Sequence, residues 1–85
     1  MTGAKVLVVV QQAVSTVLDV EGVAPSTRLQ ADLGADRLAL LEIAEIVQTR
    51  LTPTAPAGFR IEDEDLAGLV TVGDVVDCVL QRAAP

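Results

Sequence analysis

Apolar residues in this chain recur at intervals of three and four in three separate stretches, the spacing that lines one face of a helix. The cleanest stretch runs Leu40, Ile43, Ala44, Val47, Leu51, with Leu38, Leu41 and Ile46 widening its apolar surface. Asp36 stands just before it, where a carboxylate accepts the free amides of a first helical turn, and Pro53 stands just beyond its end. Upstream, Val10, Ala13, Val14, Val17 and Leu18 repeat the pattern; downstream, Val72, Val75, Val76, Val79 and Leu80 do the same. The last stretch opens on Thr71-Val72-Gly73-Asp74, a capping box with Asp in the place usually held by Glu. Arg82 complements the dipole at its far end. Three such stripes predict an all-α chain.

The connecting segments complete the plan. Val6–Val10 is a β-branched run that by itself reads as a buried strand. It flows into Gln11-Gln12 with no turn residue between, so the spacing predicts one helix over 4–18, stopped by residues 19–22 with Gly22 as its cap. Residues 22–35 form a long connection whose Leu29 and Leu33 are expected to plug the core. Residues 52–58 are a turn-rich loop with two prolines. The acids of 62–65 favour the start of a short helix over 62–68. With helices over 36–51 and 71–82, the expected architecture is a four-helix bundle, three longer helices and one short. At 85 residues there is no room for a second core, so residues 1–85 read as one domain. Its expected core includes Leu7, Val14, Leu33, Val47, Val72 and Val76, because one Phe and no Trp or Tyr leave the packing to aliphatic side chains.

Composition removes whole classes of function. With no His and a single Cys, Cys78, the chain cannot build a Cys/His zinc site, a Ser-His-Asp triad or an internal disulfide. Twelve acidic against six basic residues, net −6, repel nucleic-acid phosphates, and no aromatic platform exists for bases. The longest apolar run, Val6–Val10, is too short for a membrane span or a signal-peptide core. The expectation is a cytoplasmic, non-enzymatic binding or carrying protein with no metal, no nucleic acid and no membrane among its partners. Cys78 reads as a half-buried small residue, and the acids of 62–65 as solvated helix-start charge.

One segment carries more specific information: Ala31-Asp32-Leu33-Gly34-Ala35-Asp36-Arg37-Leu38, followed by Leu41, Glu42 and Ile43. It resembles the acyl carrier protein family, in which a D-L-G-x-D-S-L motif opens the second helix and its serine carries 4′-phosphopantetheine. The tail resembles the same family: Ile61-Glu62-Asp63-Glu64-Asp65-Leu66 is similar to its third helix, and Val70-Thr71-Val72-Gly73-Asp74 to its entry into the fourth. The resemblance implies the four-helix carrier fold, the phosphopantetheine site at the position of Arg37, and fatty-acid or polyketide synthase-type enzymes as partners.

At that position the chain departs from the family, because Arg37 has no hydroxyl and cannot form the phosphodiester. No 4′-phosphopantetheine is therefore expected. The resemblance sets Asp36, Arg37, Leu38, Leu41, Glu42 and Glu45 on the surface that meets partners, while Ala39, Gln48, Thr49 and Arg50 stand where the family often places acid. Arg37 is either a tolerated replacement or a cation that contacts a partner, or it has been exchanged for a native serine. The expected function is a non-canonical, monomeric carrier-like protein, acting as scaffold or regulator toward synthase enzymes or a co-encoded protein. The alternatives are a working carrier, including one that holds its ligand non-covalently, and an unrelated all-α adaptor.

Overall fold

The computed structural model describes residues 1–84. Three α-helices, α1 (Gly3–Leu18), α2 (Arg37–Leu51) and α3 (Val72–Ala83), are joined by a short 3-10 helix, Asp63–Gly68, and a 3-10 turn, Thr52–Thr54. This is the all-α bundle that the apolar spacing predicts, with the order of elements that the resemblance implies. The short helix has 3-10 rather than α geometry, and the chain passes from α2 into the 3-10 turn at Thr52–Thr54 where an irregular loop was expected.

Helix α1 lies against both α2 and α3, and the short helix lies against α2. Each α-helix contributes one aliphatic stripe to a common core: Val6, Val10, Ala13 and Val14, then Ile43, Ala44, Val47 and Leu51, then Val72, Val75 and Val79. Burial of Val6 and Val10 decides the ambiguous opening run in favour of helix, since both face inward at helical spacing. Leu29, Ala35, Phe59, Leu66 and Leu69 fill the remainder from the connections. Among the described residues no polar or charged side chain is buried.

Several expected details are corrected. The first helix is capped by Asp19, not Gly22: Asp19 takes the left-handed conformation, φ 54°, and its amide donates to the Ser15 carbonyl at 3.0 Å. Leu7, Leu33 and Val76 are only half-buried. Leu7 and Val76 line a groove between α1 and α3 together with Gly3 and Leu80, so they border the core without entering it. Arg50, near the end of α2, is exposed and its guanidinium donates to Gln12 of α1.

The long connection is fastened at its middle. Leu29 donates its amide to the Val70 carbonyl at 2.8 Å, and Val72 donates to the Thr27 carbonyl at 3.0 Å. These bonds frame an isolated antiparallel bridge between Arg28 and Thr71. Gly73 donates to the Pro25 carbonyl at 2.8 Å, and a Cβ at Gly73 would lie 3.1 Å from that oxygen, which accounts for glycine there. Thr71 and Asp74 form the expected capping box, with Thr71 Oγ1 accepting from the Asp74 amide at 3.1 Å. The clamp sets residues 29–36 beside the short helix and so positions the head of α2.

Candidate functional site at the head of helix α2

The Ala31–Leu38 segment is a turn that delivers α2, and four of its eight residues have an internal task. Asp32 accepts the Arg28 amide at 2.8 Å and pairs with the Arg28 guanidinium at 3.1 Å, which together hold its carboxyl below the usual aspartate range. Gly34 adopts φ 70°, the left-handed region open to glycine. Ala35 is buried, and its amide donates to the Leu29 carbonyl at 2.9 Å. Asp36 is the expected cap, its Oδ1 accepting from the Ala39 amide at 2.8 Å.

Arg37 is different. It is the first residue of α2, it is exposed, and among the described residues it has no ion-pair or hydrogen-bond partner. The other arginines are all engaged: Arg28 with Asp32, Arg50 with Gln12, Arg60 with Glu62, and Arg82 with Asp65. A cation at a helix N-terminus is disfavoured by about 0.3–1 kcal/mol, so no local structural gain explains the residue.

Beside Arg37 lies a cleft of about 490 Å³ between the loop, the head of α2 and the end of the short helix. Ala31, Ala35, Leu40, Leu66, Ala67, Leu69 and Val70 line it, and Gln30, Asp36 and Arg37 are the polar members of the lining. Val70 is 57% exposed and Leu38, on the outer side of α2, is 63% exposed. No serine or threonine lines this cleft, so its residues offer no hydroxyl that a phosphopantetheine arm could esterify.

The six residues expected to meet partners are spread over two clefts and the exposed side of α2 that joins them. Asp36 and Arg37 line the cleft just described. Leu41 and Glu45 line a second, smaller cleft of about 180 Å³ with Gln48, Ile61 and Asp63, and buried Leu66 forms part of both walls. Leu38 and Glu42 line neither and project from the exposed side of α2. The contributions of Leu40, Leu66, Leu69 and Val70 were not foreseen. Leu40 read as core, and Val70 lies outside every helical stripe.

The acids of 62–65 do more than solvate a helix start. Asp65 accepts the Glu62 amide at 2.8 Å and binds Arg82, whose bonds hold the Asp65 carboxyl below the ordinary range. No cluster of metal-ligating side chains exists among the described residues. Cys78 is half-buried, and burial pushes its thiol up. No helix among those described is long and apolar enough to cross a membrane.

Comparison with known proteins agrees with this geometry. Residues 8–79 match the family described as "Phosphopantetheine attachment site". The chain is 40% identical over 78 residues to an acyl carrier protein of Exiguobacterium sp., covering 89% of this chain and 91% of that protein. It is 30% identical over 66 residues to an acyl carrier protein of Desulforapulum autotrophicum, covering 78% of each. A meromycolate extension acyl carrier protein of Mycolicibacterium aurum is 50% identical over 54 residues, which is 64% of this chain and half of that longer protein.

Proposed function

The chain belongs to the acyl carrier protein family, whose members carry 4′-phosphopantetheine, and we propose that it serves fatty-acid or polyketide synthase-type enzymes without that arm. In this reading residues 1–85 form a single, monomeric, cytoplasmic carrier-like unit that acts by binding and not by catalysis. Arg37 takes the attachment position, and the head of α2, with Asp36, Arg37, Leu38, Leu41, Glu42 and Glu45, is the docking surface. A relative named for meromycolate extension supports an extension pathway as the setting.

One observation carries the reading. Along the motif Asp32, Gly34, Ala35 and Asp36 keep their structural tasks, so the turn is intact, while Arg37 has neither a hydroxyl nor an internal partner. A turn preserved around an altered reacting position supports retained docking with lost attachment. Leu38 supplies apolar surface to desolvate, and Arg37 and Glu42 supply charges of both signs, a combination suited to a modest, transient interface.

The test is capture of the partner from the source cell, followed by titration calorimetry of the purified pair. Arg37→Glu is expected to weaken binding by about 1–3 kcal/mol, as for a charge pair desolvated in the complex. Glu42→Lys is expected to weaken it as well. Unchanged affinity in both variants removes the head of α2 as the docking surface.

A further inference from the structure

The outward face of α1 is free of acid in a chain of net −6. Residues 1–18 carry one charged side chain, Lys5, and residues 46–61, which include the end of α2, hold no Asp or Glu either. Lys5, Val8, Gln12 and Thr16 fall at i, i+3, i+7 and i+11, one stripe of the helix. All four are exposed, Val8 by 50%. Arg50 reaches this stripe from the end of α2, its guanidinium donating to Gln12 Oε1. Val8, Gln12, Thr16 and Arg50 line an open groove of about 570 Å³ together with Gln11 and Ser15.

Both cations of this face lack a carboxylate. Arg28, Arg60 and Arg82 each pair with one, whereas among the described residues Lys5 has no ion pair and Arg50 meets only the neutral Gln12 amide. That bond occupies one of the five guanidinium donors and leaves others for an anion. Lys5 and Gln12 are seven residues apart, a rise of about 10 Å along α1, with Val8 between them. The complement of that spacing is a helix with acid at both ends of a two-turn stripe and an aliphatic side chain between. Net −6 opposes both a second copy of the chain and an extended anionic lipid surface as the occupant. We propose that this face docks an acidic amphipathic helix of a partner protein, one carboxylate paired with Arg50, another with Lys5, and an aliphatic side chain against Val8. The groove shares no residue with the head of α2, so the proposal stands apart from the docking surface assigned there.

The test is an amide-resolved NMR titration of the full chain with a capped synthetic helix of alanine and glutamine, carrying two glutamates two turns apart and a leucine between them. Its counterparts place glutamine or lysine at the two glutamate positions. The glutamate peptide is expected to give saturable shifts confined to residues 4–16 and 49–51, the glutamine peptide weaker ones, and the lysine peptide none there. Lys5→Gln and Arg50→Gln are each expected to weaken binding about threefold, since exposed ion pairs are individually weak, and the double variant about tenfold. Raising the salt is expected to weaken the wild-type complex in the same way. Arg50→Lys is expected to keep most of the affinity, which separates the charge from the tie to Gln12, and thermal melts check the fold of each variant. Absence of shifts, equal binding of the glutamate and glutamine peptides, unchanged affinity in the double variant, or shifts centred at the head of α2 would overturn the proposal. So would dimerisation of the chain through α1, or co-sedimentation with phosphatidylglycerol vesicles that the double variant abolishes, since these assign the face to a second copy or to lipid.

Discussion

Arg82 grips Asp65 through two parallel hydrogen bonds, Nε to Oδ2 at 2.9 Å and Nη2 to Oδ1 at 2.7 Å. The same carboxylate accepts the Glu62 amide, so one side chain fastens the start of the short helix to the last turn of α3. The short helix also supplies Leu66 to both clefts, which makes this clasp a support for the candidate site. Arg82→Gln is expected to lower the melting temperature and to broaden the amide resonances of residues 63–68. Arg82→Lys is expected to restore little, because an ammonium cannot reproduce the fork. Unchanged spectra in Arg82→Gln would show that the clasp is incidental.

Acid should loosen the fold in a predictable window. Arg82 holds the Asp65 carboxyl below its ordinary value, backbone amides do the same for Asp74, and the Arg28 amide and guanidinium do so for Asp32. Each group is more acidic folded than unfolded, so its stabilisation is complete above the ordinary aspartate value of ~3.9. It is lost as pH falls through the lowered folded values. Urea midpoints are expected to be level near neutrality and to drop below about pH 4. Asp65→Asn is expected to be less stable at pH 7 and to show a shallower acid decline.

The core assignment is tested by truncation. Val47 is fully buried, and Val47→Ala removes two methyl groups, an expected loss of about 1–3 kcal/mol from transfer and cavity terms. Leu38→Ala, at an exposed position on the same helix, is expected to change stability by no more than about 0.5 kcal/mol. Denaturant unfolding of the two variants checks both values.

Gln48 separates a surface reading of α2 from the structure. Its Oε1 accepts the Ile61 amide at 2.8 Å, tying α2 to the strand of chain that enters the short helix. Gln48→Ala is expected to cost about 1 kcal/mol, while neighbouring Thr49→Ala, fully on the exposed side, costs a few tenths. Equal effects would remove this bond from the account.

The fold was largely legible because helix, cap and breaker signals agree locally. Asp36, Thr71 and the three aliphatic stripes each say the same thing at their own scale. What was not legible depends on chain segments meeting across distance. Nothing in the local pattern around Arg82 names Asp65, and nothing around Gln48 names the Ile61 amide. Asp19 caps α1 although Gly22 is the residue conformational preference favours; Gly22 takes its own left-handed turn, φ 68°, beyond the cap. The candidate site was half legible. The motif located the head of α2, but the cleft walls, Leu66, Leu69 and Val70, come from a segment about thirty residues on and are brought in by the Leu29–Val70 clamp.

Arg37 is read directly by one measurement: intact-mass spectrometry of the chain after incubation with coenzyme A and a broad-specificity phosphopantetheinyl transferase. The wild-type chain is expected to keep its mass, and Arg37→Ser, with Asp36 and Leu38 unchanged beside it, is expected to gain one phosphopantetheine arm. A wild-type chain that gains the arm would contradict the account, with fragmentation locating the hydroxyl that accepted it.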